Sequence, residues 1–313
     1  MASDVSNQLI RVTKKRYLLQ MNQEEIAKSE NLSKATVSRL LKKAETLGYV
    51  TFRLNIPSLS AMDLEAEIKE KFALKHVFVA SAQINDERVI AHDVVDAAAS
   101  YLNTIITSGA IIGVSWGNTL SLLSRNLKKS NATDVTVVQL NGGISKNVTP
   151  TGAESIARNF AENYSGTSYI LPVPSFVDNK RIVEALKEDS KIREVFSLIH
   201  QSEIAIFSIG SLNPNSILIT SGYFSQEEYM GLKKKNYVGD ICSRYFKKDG
   251  SYSDKALYDR VIGISLEEIK EKKHSIGIVI GQQRTDALLG ALNGGYINTL
   301  FTDELVAREI LSM

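Results

Sequence analysis

The chain has 313 residues, enough for two domains with one substantial core, and its 43% apolar and 23% charged content is that of a soluble globular protein. The net charge of +2 hides an asymmetry, because residues 1–56 carry ten Lys and Arg against five Asp and Glu, whereas the remainder carries 27 against 30. No apolar run reaches a membrane span, no secretory leader pattern opens the chain, and a single cysteine, Cys242, excludes a disulfide framework.

A cytoplasmic protein with no membrane contact is the expectation. The four histidines lack ligand spacing, so no metal site and no cofactor is expected. A basic head on a slightly acidic body is what phosphate neutralisation asks of a nucleic-acid-binding module.

The pattern predicts a first helix over about Ser6–Leu19, with Leu9, Ile10, Val12, Tyr17 and Leu18 available for packing. Residues 22–43 then read NQEEIAKSENLSKATVSRLLKK. Asn22 and Glu25 have capping-box spacing, Ile26 and Ala27 face inward, and Asn31 suits a left-handed turn. Leu32 pins that turn, Ser33 caps a second helix, and Val37, Leu40 and Leu41 form its apolar stripe. Two short helices across so tight a turn make a helix-turn-helix signature. Glu30 stands where such motifs usually carry an apolar residue, which predicts looser packing of the first motif helix.

Ser33, Lys34, Thr36, Ser38, Arg39, Lys42 and Lys43 lie off the stripe. Hydroxyls near a helix start suit phosphates, and Arg or Lys suits base edges in a major groove. An ordinary amphipathic pair with a solvated basic face would carry the same residues. Leu47-Gly48-Tyr49 ends the helical pattern, and Val50–Leu54 alternates like a strand, predicting a short wing with Arg53 facing a phosphate. Pro57 to Ser60 reads as the boundary, giving domains of 1–56 and 57–313. The next helix, about Met62–Phe72, sets Leu64, Ile68 and Phe72 four apart, a stripe to dock on the body or on a second subunit.

From Lys75 onward the pattern alternates. Strands are predicted at His76–Ala80, Ala110–Val114, Val135–Leu140, Ser168–Leu171, Ile204–Ile209, Ile276–Ile280 and Ile297–Phe301. Helices are predicted between them near 87–107, 118–127, 152–164, 179–199, 225–235, 284–292 and 303–312. This predicts a mainly parallel α/β domain, with ligands bound beyond the carboxyl ends of the strands.

At those ends, Gly113-Val114-Ser115-Trp116-Gly117-Asn118-Thr119 runs from a strand into a helix, which suits an anionic phosphate. The same glycines would serve a tight packing turn. The G-x-S-x-G spacing also fits a hydrolase elbow with Ser115 as nucleophile, although the only late histidine, His274, leads into a strand rather than following one. Gln139, Asn141, Gly142 and Gly143 close another strand with amides and glycines suited to hydroxyls. Asp240 is an acceptor for a sugar, and Arg284 offers a planar fork to a phosphate.

The ordered set QEEIAKSENLSKATVSRLLKKAETLGYV, GVSWGNTL, QLNGGIS, SGYFSQEE, VGDICSRYF and IGQQRTDALLGALNGGYINTLFTDELVAREIL resembles the SorC/DeoR-type family of bacterial sugar-binding transcriptional regulators. The resemblance covers nearly the whole chain and is nearest to the branch containing the deoxyribonucleoside regulators. It implies an N-terminal winged helix-turn-helix domain and a C-terminal effector domain similar to sugar-phosphate isomerases and glucosamine-6-phosphate deaminases. That domain acts as a sensor, in a homodimer or homotetramer held on operator DNA until a phosphorylated sugar, such as deoxyribose 5-phosphate, binds.

Carried over by position, the family's phosphate loop falls on Gly117, Asn118 and Thr119, with Ser115 beside it. Its sugar contacts fall on Gln139, Asn141, Gly142 and Asp240, and its second phosphate cation on Arg284. The family more often has Lys after a Gly-Gly there, and here Ile280 replaces the first glycine. Asn141 is a neutral amide and forms no Schiff base, so effector binding is expected to be non-covalent. The rival from another class is a sugar-phosphate isomerase or deaminase with an accessory DNA-binding head, for which Asp240 is the one candidate base and no second stands out.

Overall fold

Leu9 and Val12 are the buried apolar residues described in α1 (Ala2–Tyr17), the first helix of a computed structural model that describes residues 2–50, 59–84, 86–144, 152–214, 216–220 and 222–313. The chain forms two units, Met1–Pro57 and Ser58–Met313, and each is taken by itself.

In the first unit α1 packs with α2 (Gln23–Glu30) and α3 (Lys34–Thr46) around Ile26, Ala27, Val37, Leu40, Leu41 and Ala44. Asn22 accepts from the Glu24 and Glu25 N–H groups, and Glu25 reaches back to the Asn22 N–H at 2.8 Å, completing the predicted capping box. Asn31 ends α2 at φ 54°, the left-handed turn its residue type allows.

Glu30 does not loosen the packing. Its side chain, 7% exposed, pairs with Lys15 at 2.7 Å and Arg11 at 3.0 Å, so α2 is stitched to α1 by charge where an apolar contact was expected. The predicted strand at Val50–Leu54, and Arg53 with it, lies outside the described residues save for Val50, which packs on the helical core.

The second unit opens with α4 (Leu59–Lys71). Leu64 and Ile68 are buried in the core of this unit, so the predicted stripe docks on the body. Then follow β1 (His76–Ala80), α5 (Glu87–Ile105), β2 (Ile111–Val114), α6 (Asn118–Arg125), β3 (Thr136–Gln139), α7 (Ala153–Asn163), β4 (Thr167–Tyr169), α8 (Lys180–Glu188), α9 (Ser190–Gln201) and β5 (Ile204–Ser208). The chain continues through β6 (Gly210–Ser211), α10 (Ile217–Thr220), α11 (Gln226–Lys234), β7 (Tyr237–Ile241), β8 (Arg244–Lys247), α12 (Lys255–Tyr258), α13 (Leu266–Glu271) and β9 (His274–Ile278). A 3₁₀ turn at Gln282–Arg284, α14 (Thr285–Asn293), β10 (Thr299–Asp303) and α15 (Glu304–Ser312) complete it.

Seven strands form one sheet in the order β1-β10-β9-β5-β2-β3-β4, every pairing parallel. Alternate residues feed opposite layers. Val137, Ile204 and Ile206 pack with α5, α6 and α7, and Val138, Ala205 and Phe207 pack with α4, α9, α14 and α15. Strand order runs outward from β2 through β3 to β4, and the other way from β5 through β9 to β10. The direction reverses between the neighbours β2 and β5, and that is where such sheets open a crevice at their carboxyl ends.

One predicted helix, 179–199, is two: Asp189 separates α8 from α9 and accepts from the Lys191 and Ile192 N–H groups. A small antiparallel sheet, β6-β7-β8, follows β5 and was not predicted. Gly239 in β7 lacks the side chain that would strike Ala287, which lets α14 lie directly on this sheet. At the edge of the large sheet, the Val79 N–H donates to Glu65 Oε1 at 2.9 Å.

Candidate functional site

The crevice between β2 and β5 is built by backbone conformation. Gly117 ends the turn after β2 at φ 124°, a value that side chains rarely allow, and no side chain caps the helix that follows. Ser121 N–H bonds to the Gly117 carbonyl, leaving the N–H groups of Asn118, Thr119 and Leu120 without acceptors among the described residues. These donors and the positive end of α6 favour an anion. Asn118 is exposed and Thr119 half-buried, so both side chains can join them. Across the crevice stands Ser208 of β5, whose hydroxyl would lie 4.0 Å from a Cβ placed on Gly117.

Behind this seat, the Ser115 hydroxyl donates to Asn141 Oδ1 at 3.1 Å, and the Trp116 indole donates to the Gly142 carbonyl at 2.8 Å. Asn141 is buried, and its amide NH₂ has no acceptor among the described residues. Ser115 therefore hydrogen-bonds an amide at the carboxyl end of β2, and His274 opens β9 at the amino edge of the parallel sheet. The hydrolase elbow lacks its base.

Three of the residues expected to read hydroxyls are engaged within the fold. Gln139 donates to the Asn141 carbonyl, and its Oε1 accepts from the Leu171 N–H at 3.3 Å. The Gly142 N–H goes to the Ile262 carbonyl and the Gly143 N–H to the Val173 carbonyl, both at 2.9 Å. A side chain on Gly142 would strike the Pro174 carbonyl, so this glycine serves close packing. Their structural role is to hold the β3 loop that presents Asn141.

The small sheet delivers the acid. Cys242 and Ser243 form the two-residue tip of the β7–β8 hairpin with φ 51° and 67°, both left-handed and both buried. Asp240 Oδ2 accepts from the Ser243 N–H at 3.0 Å, and the Ser243 and Ser175 hydroxyls share a bond of 2.6 Å. Gly210 has no side chain because the Asp240 carboxylate occupies that space. Burial pushes the Asp240 carboxyl up to about 6, against the lowering effect of the Ser243 N–H. The side chain keeps partial contact with solvent even so. Burial pushes the Cys242 thiol up to about 12, with the Ser115 hydroxyl facing it, so it is a packed thiol rather than a nucleophile.

Arg284 lies in the turn after β9, half-buried, donating to the Ile280 carbonyl and pairing with no carboxylate among the described residues. Burial lowers its pKa, with Glu87 opposing. Asp303, fully buried, fixes this turn by accepting from the Gly281 N–H at 2.8 Å and the Val306 N–H at 3.0 Å. β6 borders the same turn, which brings it near the acid-bearing sheet.

In the first unit, Ser38, Arg39, Lys42 and Lys43 are exposed on α3. Ser33 caps α3 through the Thr36 N–H at 3.1 Å, and the Ser33 and Thr36 hydroxyls bond each other at 2.8 Å. Lys34 pairs with Glu24 at 2.9 Å in an exposed contact that a phosphate can displace. No cluster of metal-ligating side chains occurs among the described residues.

Sequence reasoning gave no role of their own to Ser208, Ser243, Ser175 and Trp116. Ser208 had a signal, as a hydroxyl ending a strand just before Gly210. The rest depend on pairings between distant loops.

An uncapped helix start at the carboxyl ends of a parallel sheet, together with a three-helix unit bearing a basic face, suits the class of a ligand-responsive regulator. The Sugar-bind family model, a sugar-binding domain, matches residues 57–312. The chain is 34% identical over 296 residues to the deoxyribonucleoside regulator of Bacillus subtilis (strain 168), covering 95% of this chain and 94% of that protein. It is 28% identical over 313 residues to the sorbitol operon regulator of Klebsiella pneumoniae, covering 99% of each. The crystal structure of the full-length sorbitol operon regulator SorC from Klebsiella pneumoniae superposes with a TM-score of 0.77 at 27% identity, covering 97% of each chain. The chain belongs to this family of SorC-type sugar-binding transcriptional regulators, and its named relatives are regulators rather than enzymes.

Proposed function

We propose that the chain represses a carbohydrate or deoxyribonucleoside catabolic operon and leaves its operator when a phosphorylated sugar binds the second unit. The uncapped start of α6 at the β2–β5 crevice carries this reading, because free N–H groups and a helix dipole are made for a phosphate. Gly117, Asn118 and Thr119 take the phosphate, with Arg284 as its second cation. Asn141, buried with a free amide, and Asp240 take sugar hydroxyls. Ser115 orients Asn141, while Gln139, Gly142 and Gly143 hold the loop. In this reading the sheet is of the kind found in sugar-phosphate isomerases and glucosamine-6-phosphate deaminases, turned to sensing. Deoxyribose 5-phosphate is the first effector to try, since the Bacillus subtilis relative is named a deoxyribonucleoside regulator.

The first unit is a helix-turn-helix domain that lays α3 in the major groove, with Arg39 and Lys42 toward base edges and Ser38 and Lys43 toward phosphates. Ser33, Lys34 and Thr36 sit at the start of α3 near the backbone, and Arg53 belongs to a wing. Two or four copies span paired half-sites. The effector favours a state in which the heads no longer match their spacing, and its differential affinity sets the size of the switch.

Thermal unfolding against sugar phosphates, each beside its free sugar, tests this reading. A ligand that binds only the native state raises the midpoint with the logarithm of its excess over Kd. A rise with one phosphosugar, absent with its free sugar and without turnover, is expected. A rise with the free sugar alone removes the phosphate from the site, and turnover returns the enzyme.

A further inference from the structure

Tyr245 stands directly opposite Asp240 in the β7–β8 ladder. Opposed residues of an antiparallel pair project from the same face, so the phenol ring lies beside the carboxylate. The ring meets Phe224 and Tyr229 edge-on, with centroids 6.2 and 6.1 Å away, and the residue is 2% exposed. Its hydroxyl is buried and has no hydrogen-bond partner among the described residues. The Tyr229 hydroxyl interacts with the Tyr245 hydroxyl as well as with Ser216 and the Asn213 backbone, but its contact with Tyr245 falls short of hydrogen-bond geometry.

A phenylalanine would fill this space without leaving a polar atom unsatisfied, so the hydroxyl asks for a partner that the described residues do not supply. Burial and the nearby Asp240 charge hold it protonated far into the alkaline range, so it keeps both a donor and an acceptor.

We propose that Tyr245 is a second hydroxyl-reading residue of the effector cleft, acting beside Asp240 on adjacent hydroxyls of a sugar phosphate. This rests on the reading of the cleft as a sugar-phosphate site. Phe224 and Tyr229 pack edge-on against the phenol, so in this reading a ligand reaches it only by displacing the Phe224 ring. A site built to hydrogen-bond a hydroxyl discriminates strongly against an analogue that lacks it, because a buried polar group is then stranded. Tyr245 is thus a determinant of which sugar phosphate is accepted.

The test compares the full-length protein with its Tyr245→Phe variant. Binding of deoxyribose 5-phosphate, ribose 5-phosphate, sorbitol 6-phosphate and inorganic phosphate is measured by calorimetry, and melting is followed without ligand. The expected result is an unliganded midpoint equal to or above the wild type. Affinity for the preferred sugar phosphate falls about tenfold, in line with one lost hydrogen bond, and affinity for inorganic phosphate is unchanged. Unchanged sugar-phosphate affinity in the variant overturns the proposal and leaves the wider reading intact. A lowered midpoint with unchanged affinity also overturns it, by showing that Tyr229 holds the hydroxyl. An equal loss for inorganic phosphate overturns it as general damage to the cleft. Failure of the wild type to bind any of the sugar phosphates removes the sugar-phosphate reading itself, and this inference with it.

Discussion

The Trp116 indole and the Gly142 carbonyl, 2.8 Å apart, tie the loop after β2 to the loop after β3. The residue next to Trp116 is Gly117, which opens the proposed phosphate seat, and Trp116 is the only tryptophan in the chain. Its emission therefore reports the state of that seat. Adding a bound sugar phosphate changes the tryptophan spectrum in proportion to occupancy, and the free sugar leaves it unaltered. A thermal shift without any spectral change would move the binding site elsewhere. Trp116→Phe keeps an aromatic ring at this position, loses one hydrogen bond worth about 1 kcal/mol, and weakens effector binding severalfold.

Arg39→Ala separates the two activities. The side chain is exposed on α3, so its loss leaves folding untouched and weakens operator binding by roughly 1–3 kcal/mol, relaxing sequence preference at one base pair. Effector affinity stays at the wild-type value. Arg284→Ala does the reverse, giving a protein that binds operator and no longer releases it. Fluorescence anisotropy with labelled operator, with and without effector, distinguishes them. A normal response from the Arg284 variant would take that residue out of the site.

Asp240 makes stability depend on pH in an unusual direction. Its folded-state pKa, about 6, lies above the ordinary carboxylate value, so the folded protein holds the extra proton between about 4 and 6. The destabilisation is therefore fully present above pH 6 and is relieved as pH falls through that window. Asp240→Asn removes it, raising stability at pH 7 by roughly 1–2 kcal/mol, with little gain at pH 4. Urea unfolding at both values measures the difference. An equal effect of the substitution at the two pH values would exclude titration of this carboxyl as the cause.

Glu30 has the opposite sign. Lys15, then burial opposing it, then Arg11 set its pKa, and the balance is downward. Its contribution is present above the ordinary Glu value and is lost as pH falls through the lowered one. Glu30→Ala costs roughly 1–2 kcal/mol at pH 7, discounted because Arg11 is half exposed to water. The Lys15→Ala, Glu30→Ala double-mutant cycle measures the pair. A coupling near zero would mean that the carboxylate merely fills space.

The large sheet was legible because its inner strands carry apolar runs, as in Ile204–Phe207, that alternate along the chain with helical patterns. The small sheet was not. Gly210–Ser211 is two residues long, and Tyr237–Ile241 alternates buried with half-buried positions around a glycine and an acid, which reads as a polar loop. At the crevice, Gly117, Asn118 and Thr119 were visible from local spacing alone. Gln139, Gly142 and Gly143 were visible as polar strand-end residues, but their engagement with Leu171, Ile262 and Val173 depends on loops far away in sequence. Glu30 was misjudged for the same reason, since its partners lie on another helix.

The two borders of the large sheet limit how copies of this chain can meet. β4 offers only three residues to a newcomer, and on β1 the Glu65 carboxylate already occupies the outward Val79 N–H. A neighbouring strand would have to displace a buried-side acid at one border and would gain almost no ladder at the other. Continuation of the sheet from chain to chain, the route to fibres and insoluble material, is thereby obstructed at both ends. Contacts made between helix surfaces are not held in this way, because they can slide and rotate by small steps where a hydrogen-bonded ladder would lock.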